Sequence, residues 1–157
     1  MLELSRHLPE VELAPGEVVV HERGIGGSVW VLVHGALDVR KGDVTVNTIT
    51  EPGALIGEIS TLIGSLHTAS VVATSRTRLR YAADGDAFLT GDTRIMRLVA
   101  GGLAERLAFV TTYLADLRYQ YGDAPGLAMV GDVLTRLAQR QGPAIRPGSL
   151  RDPDPEY

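Results

Sequence analysis

Short runs rich in β-branched residues, separated by glycines, fill residues 18–72 and constrain the fold more than any other feature. In chain order the runs read EVVVH, SVWVLVHG, ALDVRK, VTVNTI and ASVVAT. Turn signals at intervals of about 8 to 12 residues are typical of an antiparallel sandwich or barrel, whereas βαβ units alternate strands with longer helical segments. The pattern therefore predicts an all-β region in the first part of the chain.

Two further patterns lie in or just after this region. The short connection at residues 41–43 contains a glycine, which can adopt positive φ, and so predicts a hairpin with a solvent-exposed tip. The segment TSRTRLRY alternates so that three arginines share one strand face. We interpret that face as the solvated side of a half-buried strand, with a binding stripe as the alternative. The three residues are Arg76, Arg78 and Arg80.

A helical period begins after residue 92. Apolar residues follow one another at alternating steps of four and three, which is the a/d seam of a coiled coil. Asp92 can cap this helix and Gly122 can end it, which gives a length of about 29 residues. We predict that the seam joins two copies in a homodimer; the alternative is that it packs only on its own β domain. The seam residues are Met96, Ala100, Leu103, Leu107, Val110, Leu114, Leu117 and Tyr121.

A second helix is expected over about residues 125–141, because a proline lies near its first turn and a Gly-Pro stop follows it. The remaining segment, residues 143–157, has too few apolar side chains to bury and is expected to be disordered. The helices thus follow the strands along the chain instead of alternating with them, as in an α+β protein.

Composition excludes several classes of function. The chain contains no cysteine, which rules out disulfides, thiolate metal sites and cysteine nucleophiles. Its four histidines lack the close spacing of metal ligands and no serine lies in a nucleophile elbow, so neither a metal site nor an enzyme is expected. A net charge of -4 and a single lysine argue against direct nucleic-acid binding. No signal peptide and no stretch of about 20 apolar residues is evident, so we expect a cytoplasmic protein without a membrane segment.

The order of these features resembles the cyclic nucleotide-binding domain of the catabolite activator (Crp/Fnr-like) family of bacterial regulators and of kinase regulatory subunits. The resemblance rests on PGEVV, on the apolar strand that ends in His34-Gly35, and on Gly-Glu followed about ten residues later by a small hydroxyl residue and alanine. It covers residues 1–120, from an N-terminal helix to the long helix.

This resemblance implies an α+β fold built on an antiparallel β-roll, a double-stranded jelly-roll-like barrel. Helices flank the roll, and a long C-terminal helix serves for dimerisation. The implied organisation is a β-roll domain with the long helix at residues 1–121, a C-terminal helix at residues 122–142 and a disordered tail at residues 143–157.

The resemblance also implies a ligand site in PGALIGEISTLIGSLHTASVVA, residues 52–73, which we call the cassette. In the family, the glutamate at the position of Glu58 binds the ribose 2'-hydroxyl, and the short helix after it offers its N-terminal amides to the cyclic phosphate. His67 stands where the family has the arginine that neutralises the phosphate, and Thr68 where it has a serine or threonine. The implied ligand contacts are Gly57, Glu58, Ile59, Ser60, His67, Thr68, Ala69, Thr111 and Thr112.

His67 is the main departure from the family pattern. An arginine is always charged and offers a fork of donors, whereas a histidine is mostly neutral at pH 7 and offers one donor per nitrogen. A buried charged hydrogen bond contributes about 1.5 to 3 kcal/mol, so the affinity for a cyclic nucleotide is expected to fall about tenfold to a hundredfold.

We therefore hypothesise a non-enzymatic regulatory module that binds cyclic AMP, cyclic GMP or a similar small anionic ligand, requires no cofactor, dimerises and acts on a downstream protein. One alternative is a ligand-free dimeric protein-interaction scaffold. Another is a truncated transcription regulator of the same family. The family's winged helix-turn-helix domain has about 70 residues, whereas 35 residues follow Gly122, so direct reading of DNA is not expected.

Overall fold

The computed structural model describes residues 1–121 and 128–139. The chain divides into two compact units, the first comprising residues 1–102 and the second beginning at Leu103. The predicted disordered tail at residues 143–157 lies outside the described residues, as does Gly122, the predicted end of the long helix.

The first unit contains two four-stranded antiparallel sheets, as expected for a β-roll. One sheet has the order β1-β8-β3-β6 and the other the order β2-β7-β4-β5. Five of the strands correspond to the glycine-separated runs, and β8 corresponds to the arginine-rich segment after them. The strands are β1 (Glu10–Leu13), β2 (Val18–Val20), β3 (Val29–His34), β4 (Leu37–Lys41), β5 (Val44–Ile49), β6 (Leu55–Ile56), β7 (Ser70–Ala73) and β8 (Thr77–Ala82).

The core lies between the inner faces of the two sheets. Leu32, Leu37 and Leu79 are completely buried there. Each is flanked along its strand by side chains that point the other way, so the period of two in the sequence places one apolar face of each sheet inward. The buried cluster consists of Val20, Leu32, Leu37, Ile56, Val71, Ala73 and Leu79.

Four helices accompany the strands: α1 (Glu58–Ile63), α2 (Gly85–Thr90), α3 (Thr93–Tyr121) and α4 (Ala128–Gln139). The first turns of α3 belong to the first unit and bury Ile95 and Val99. Asp92 accepts the backbone N–H of Arg94 at 2.8 Å, which satisfies a donor at the start of α3. The long helix thus begins where the sequence predicted, and α4 lies within the predicted second helix.

The length and apolar composition of α3 also meet the requirements of a membrane-spanning helix. It is the one such helix in the part of the chain that the structure describes, with a mean hydropathy of 1.2 over its most apolar window. No apolar stretch of about 20 residues was expected from the sequence. In length and composition, α3 is therefore closer to a membrane-spanning helix than predicted. The helix carries Glu105 and Arg106 near its centre, and charged side chains are costly in a bilayer.

The row of arginines on β8 is only partly a solvated face. Arg76 is exposed and pairs with Glu12 at 2.6 Å, whereas the side chain of Arg80 is 14% exposed and pairs with Glu10 at 3.1 Å. Arg80 also donates to the backbone oxygen of Leu2 at 2.6 Å and so fixes the N-terminal segment. The prediction of a uniformly solvated face was therefore wrong for Arg80.

The sequence did not predict two of the strands or the conformation of the N-terminal segment. Strand β1 supplies the glutamates that face the arginine row, and β6 is only two residues long. Strand β6 is too short for an alternating pattern to identify it, and β1 lies outside the glycine-separated runs. Residues 2–7 form turns, where the family resemblance implied a helix.

Candidate functional site

The helix of the cassette begins at a glycine that no other residue can replace without strain. Gly57 follows β6 with a φ of 88° and forms the N-terminal cap of α1. A Cβ added to Gly57 would lie 2.6 Å from the backbone oxygen of Ser28. The left-handed backbone and this close approach explain why the sequence requires glycine directly before Glu58.

Glu58 and Ser60 follow Gly57 in α1, and both are buried. Their relative exposures are 4% and 5%, which is unusual for residues of this type. The Ser60 hydroxyl donates to the backbone oxygen of Gly57 at 3.0 Å. Two polar side chains predicted to contact a ligand therefore lie inside the first unit beside Gly57.

The side chain of His67 contacts the first turn of the same helix. Its Nδ1 lies 2.9 Å from the Ser60 Oγ. The Ser60 hydroxyl lies within hydrogen-bonding distance of both the Gly57 oxygen and Nδ1, and the tautomer of the ring sets which member of the Ser60–His67 pair donates. The imidazole of His67, Ser60 and the Gly57 carbonyl thus form a chain of hydrogen bonds at the position predicted for the phosphate.

The backbone of His67 is anchored to the loop before β3. His67 accepts a backbone hydrogen bond from Arg23 at 2.8 Å and donates one to Gly24 at 2.9 Å. A Cβ added to Gly24 or to Gly57 would lie 3.5 Å from the imidazole ring. The ring therefore packs beside the backbones of Gly24, in the loop before β3, and Gly57, at the start of α1.

Burial lowers the pKa of His67 below its ordinary value, and a backbone hydrogen bond with Ile25 only partly opposes this shift. The imidazole is accordingly neutral at pH 7 in the unliganded protein. A neutral ring carries no counter-charge for an anion.

This shift predicts a pH dependence of folding stability. Since the pKa of His67 is lower in the folded chain, the unfolded chain takes up a proton first as the pH falls, and the free energy of unfolding decreases below about pH 6.5. We expect His67→Gln to lose less thermal stability than the parent between pH 7.5 and 5.5, measured by circular dichroism. Equal losses in the two proteins would contradict the assignment.

The hairpin between β4 and β5 contacts the cassette next to β7, with which β4 pairs. Lys41 donates through Nζ to the backbone oxygen of Thr68 at 3.2 Å. Its neighbour Gly42 donates to the Glu22 carboxylate at 3.0 Å. The sequence predicted the hairpin but not this contact, because it joins residues 27 positions apart and depends on the pairing of β4 with β7.

The remaining predicted ligand residues differ in placement. Thr68 is exposed, Ala69 is half-buried, and Ile59 is 40% exposed on the surface of α1. Thr111 and Thr112 are exposed and belong to the second unit. The first unit thus brings together the predicted residues at and around Gly57 and His67.

An open cleft of about 480 Å³ adjoins the cassette. It is lined by the loop at residues 25–27, by Ser60 and Thr61, and by residues 64–66; neither Glu58 nor His67 lines it. The lining of this cleft therefore differs from the nucleotide site predicted from the sequence, which includes Glu58 and His67. Among residues 1–121 and 128–139, no group of three metal-ligating side chains could hold a metal ion.

The predicted seam on α3 exposes large apolar side chains. Leu107 is 51% exposed and Val110 is 46% exposed. Phe109 and Tyr113 lie on a neighbouring face, where their rings stack with centroids 6.5 Å apart. Exposed apolar groups in this number are unusual for a surface helix of a monomer.

Comparison with protein families and with curated proteins gave different results. The model of the cyclic nucleotide-binding domain matches residues 10–101. No curated protein matches the chain at a significant level.

Three solved structures share the fold at 20% to 24% sequence identity. The first, described as Sp-2Cl-cAMPS bound to PKAR CBD2, has a TM-score of 0.57 and 20% identity over 73% of this chain and 75% of that one. The second belongs to work on a cyclic-GMP-dependent signalling pathway in bacterial phytopathogenesis, with a TM-score of 0.55 and 24% identity over 71% and 91%. The third is the N-terminal domain of a transcriptional regulator from Streptomyces coelicolor A3(2), with a TM-score of 0.52 and 24% identity over 71% and 81%.

Proposed function

The chain belongs to the cyclic nucleotide-binding domain family, whose model its residues 10–101 match, and we propose that it is a non-enzymatic regulatory module that binds cyclic AMP or cyclic GMP and acts as a homodimer. The observation that carries this proposal is the buried carboxylate of Glu58 directly after the left-handed Gly57, on the same short helix as Ser60, which contacts His67.

Glu58 is proposed to bind the ribose. A carboxylate oxygen accepts hydrogen bonds from hydroxyl groups, and a buried carboxylate does so with less competition from water. Glu58 is 4% exposed, and glutamates are almost never fully buried unless they are paired. The 2'-hydroxyl of the nucleotide is the partner that the family resemblance implies.

His67 is proposed to meet the cyclic phosphate. Its ring lies where the family has arginine, and its Nδ1 already bonds with Ser60. An anion near the imidazole favours the protonated ring, so binding is expected to take up a proton. A ligand that gains its counter-charge only in this way binds more weakly than one held by a guanidinium.

The seam of α3 is proposed to join the two copies of the homodimer. The apolar residues recur at steps of four and three, and the middle of the seam is exposed. Pairing with a second copy would remove these side chains from water, which is favourable by roughly 25 cal/mol for each Å² of apolar surface.

Exchanging the Glu58 carboxylate for an amide tests the proposed function. Glu58→Gln is expected to weaken the binding of cyclic AMP about tenfold to a hundredfold, because a neutral amide oxygen accepts a weaker hydrogen bond than a carboxylate. The dissociation constant is measured by equilibrium dialysis at about pH 6.5, where His67 is more protonated than at pH 8.

The control ligand is 2'-deoxy cyclic AMP, which lacks the proposed hydroxyl partner. It should bind the parent weakly and lose little further affinity in Glu58→Gln, because the two changes remove the same interaction. Glu51→Gln, at an exposed glutamate close by in sequence, is the matched protein control and should bind as the parent does. Unchanged binding of cyclic AMP by Glu58→Gln would contradict the proposed role.

One observation favours the alternative of a ligand-free dimeric scaffold. The hydrogen bond between His67 and Ser60 already occupies the proposed phosphate position. A scaffold would keep this bond permanently and would form the same dimer without any nucleotide. A binding measurement distinguishes the two functions: the regulatory module binds a cyclic nucleotide, and the scaffold does not.

A further inference from the structure

The only lysine of the chain, Lys41, is exposed at the C-terminal end of β4. Leu37, Val39 and Lys41 alternate along β4 and so share one face. Leu37 is completely buried in the core, and Val39 packs against the same cluster. Lys41 therefore shares the face of Leu37 and Val39 and extends beyond the core at the end of the strand.

Two contacts position Lys41 next to the proposed phosphate position. Its Nζ donates to the backbone oxygen of Thr68, the residue directly after His67, at 3.2 Å. The adjacent Gly42 is bonded to the Glu22 carboxylate, which ties the tip of the hairpin to the loop that also anchors the His67 backbone. The first contact places the ammonium group beside the cassette, and the second holds the backbone of the hairpin next to it.

The Lys41 ammonium retains capacity for a ligand. It carries three donors, and its contact with the oxygen of Thr68 uses one of them. Within the described residues it lies in no ion pair, so its positive charge is not neutralised by a carboxylate. A lysine on a flexible four-carbon stem can turn from a backbone oxygen to a nearby anion.

We propose that Lys41 supplies the permanent positive charge for the ligand's phosphate that position 67 lacks, an assignment that rests on the proposed function. The positive charge that the family places at position 67 would then be supplied from β4. His67 and Lys41 then hold the phosphate from two sides, the former as a hydrogen-bond donor and the latter as the cation.

Arg23 is the nearest rival for this role. Its backbone bonds to His67 at 2.8 Å and adopts a φ of 62°, the one left-handed conformation among the described residues that are not glycine. The contact involves the Arg23 backbone, whereas Lys41 reaches the cassette with the charged atom itself. Lys41 is therefore the better placed of the two.

The proposal is tested by removing the charge at position 41 in the full chain. Lys41→Gln is expected to weaken the binding of cyclic AMP about tenfold. This is the lower end of the effect expected for losing a charged hydrogen bond, because the ammonium group is exposed. Lys41→Arg, which keeps the charge, is expected to bind within about twofold of the parent. The salt dependence of binding should also be smaller for Lys41→Gln, because one screened charge interaction is gone.

Two controls separate this role from a structural one. Adenosine has no phosphate, so Lys41→Gln should not change its affinity. Arg40→Gln removes the same charge from the next residue, which lies on the outer face with Asp38, and should bind cyclic AMP as the parent does. Melting temperatures of all variants establish that each one folds.

Each other outcome contradicts the assignment. Equal losses for adenosine and cyclic AMP would make Lys41 structural, and a loss in Arg23→Gln without one in Lys41→Gln would move the role to Arg23. Unchanged binding by Lys41→Gln would overturn the assignment and leave the proposed function standing. A parent that binds no cyclic nucleotide at millimolar concentration would overturn both.

Discussion

Replacing His67 with arginine is expected to tighten the binding of cyclic AMP about tenfold to a hundredfold at pH 8. The guanidinium is charged at every accessible pH and can donate two parallel hydrogen bonds to phosphate. The imidazole that it replaces is neutral at this pH, because burial lowers the pKa of His67. The substitution therefore restores a permanent charge within the cassette.

The same substitution is expected to abolish most of the pH dependence of binding. In the parent, the phosphate raises the pKa of His67, so binding takes up a proton and strengthens as the pH falls from about 8 to 6. In His67→Arg the charge is constant over this range, and the dissociation constant should be nearly constant too. His67→Gln, which has a donor but no charge, should bind weakly throughout. Parallel pH profiles for the parent and His67→Arg would contradict the role of His67.

The second large effect is expected for the oligomeric state. Sedimentation at micromolar concentration should give twice the chain mass for the parent, because the seam exposes Leu107 and Val110 on a free chain. The double variant Leu107→Asp, Leu114→Asp should sediment as a monomer, because each interface would then bury two unpaired charges from each chain.

A matched control lies on the same helix but off the seam. Tyr119 is 92% exposed, and Tyr119→Asp should remain dimeric. A monomeric parent would contradict the proposed dimer, and a dimeric double variant would show that the copies associate through another surface.

The all-β region was predictable because its signals are local, whereas the β-roll itself was implied by the family resemblance. A turn needs glycine at positive φ, as at Gly42 in the hairpin and Gly57 before α1, and these positions are visible in the sequence. Strand β1 could not be found in the same way, because its glutamates become informative only when β8 places arginines opposite them. Short strands depend on such pairing more than on their own composition.

Glu58 could be singled out from the sequence as a candidate, whereas the contacts at the other end of the cassette could not. The Gly-Glu pair is local in sequence, and the structure buries Glu58 directly after Gly57. The bond of His67 to Ser60 depends on the packing of the ring against Gly24, which lies in a distant loop. Lys41 was predicted only as part of a turn, because its contact with Thr68 arises from tertiary pairing of strands.

Calorimetric titration of the full chain with cyclic AMP and with cyclic GMP, at pH 6 and pH 8, tests the central claim most directly. Saturable binding of one of the two nucleotides is expected, with the stronger binding at the lower pH, because protonation of His67 favours the phosphate. The absence of binding heat for both nucleotides at millimolar concentration, in the parent and in His67→Arg, would contradict a nucleotide-binding function.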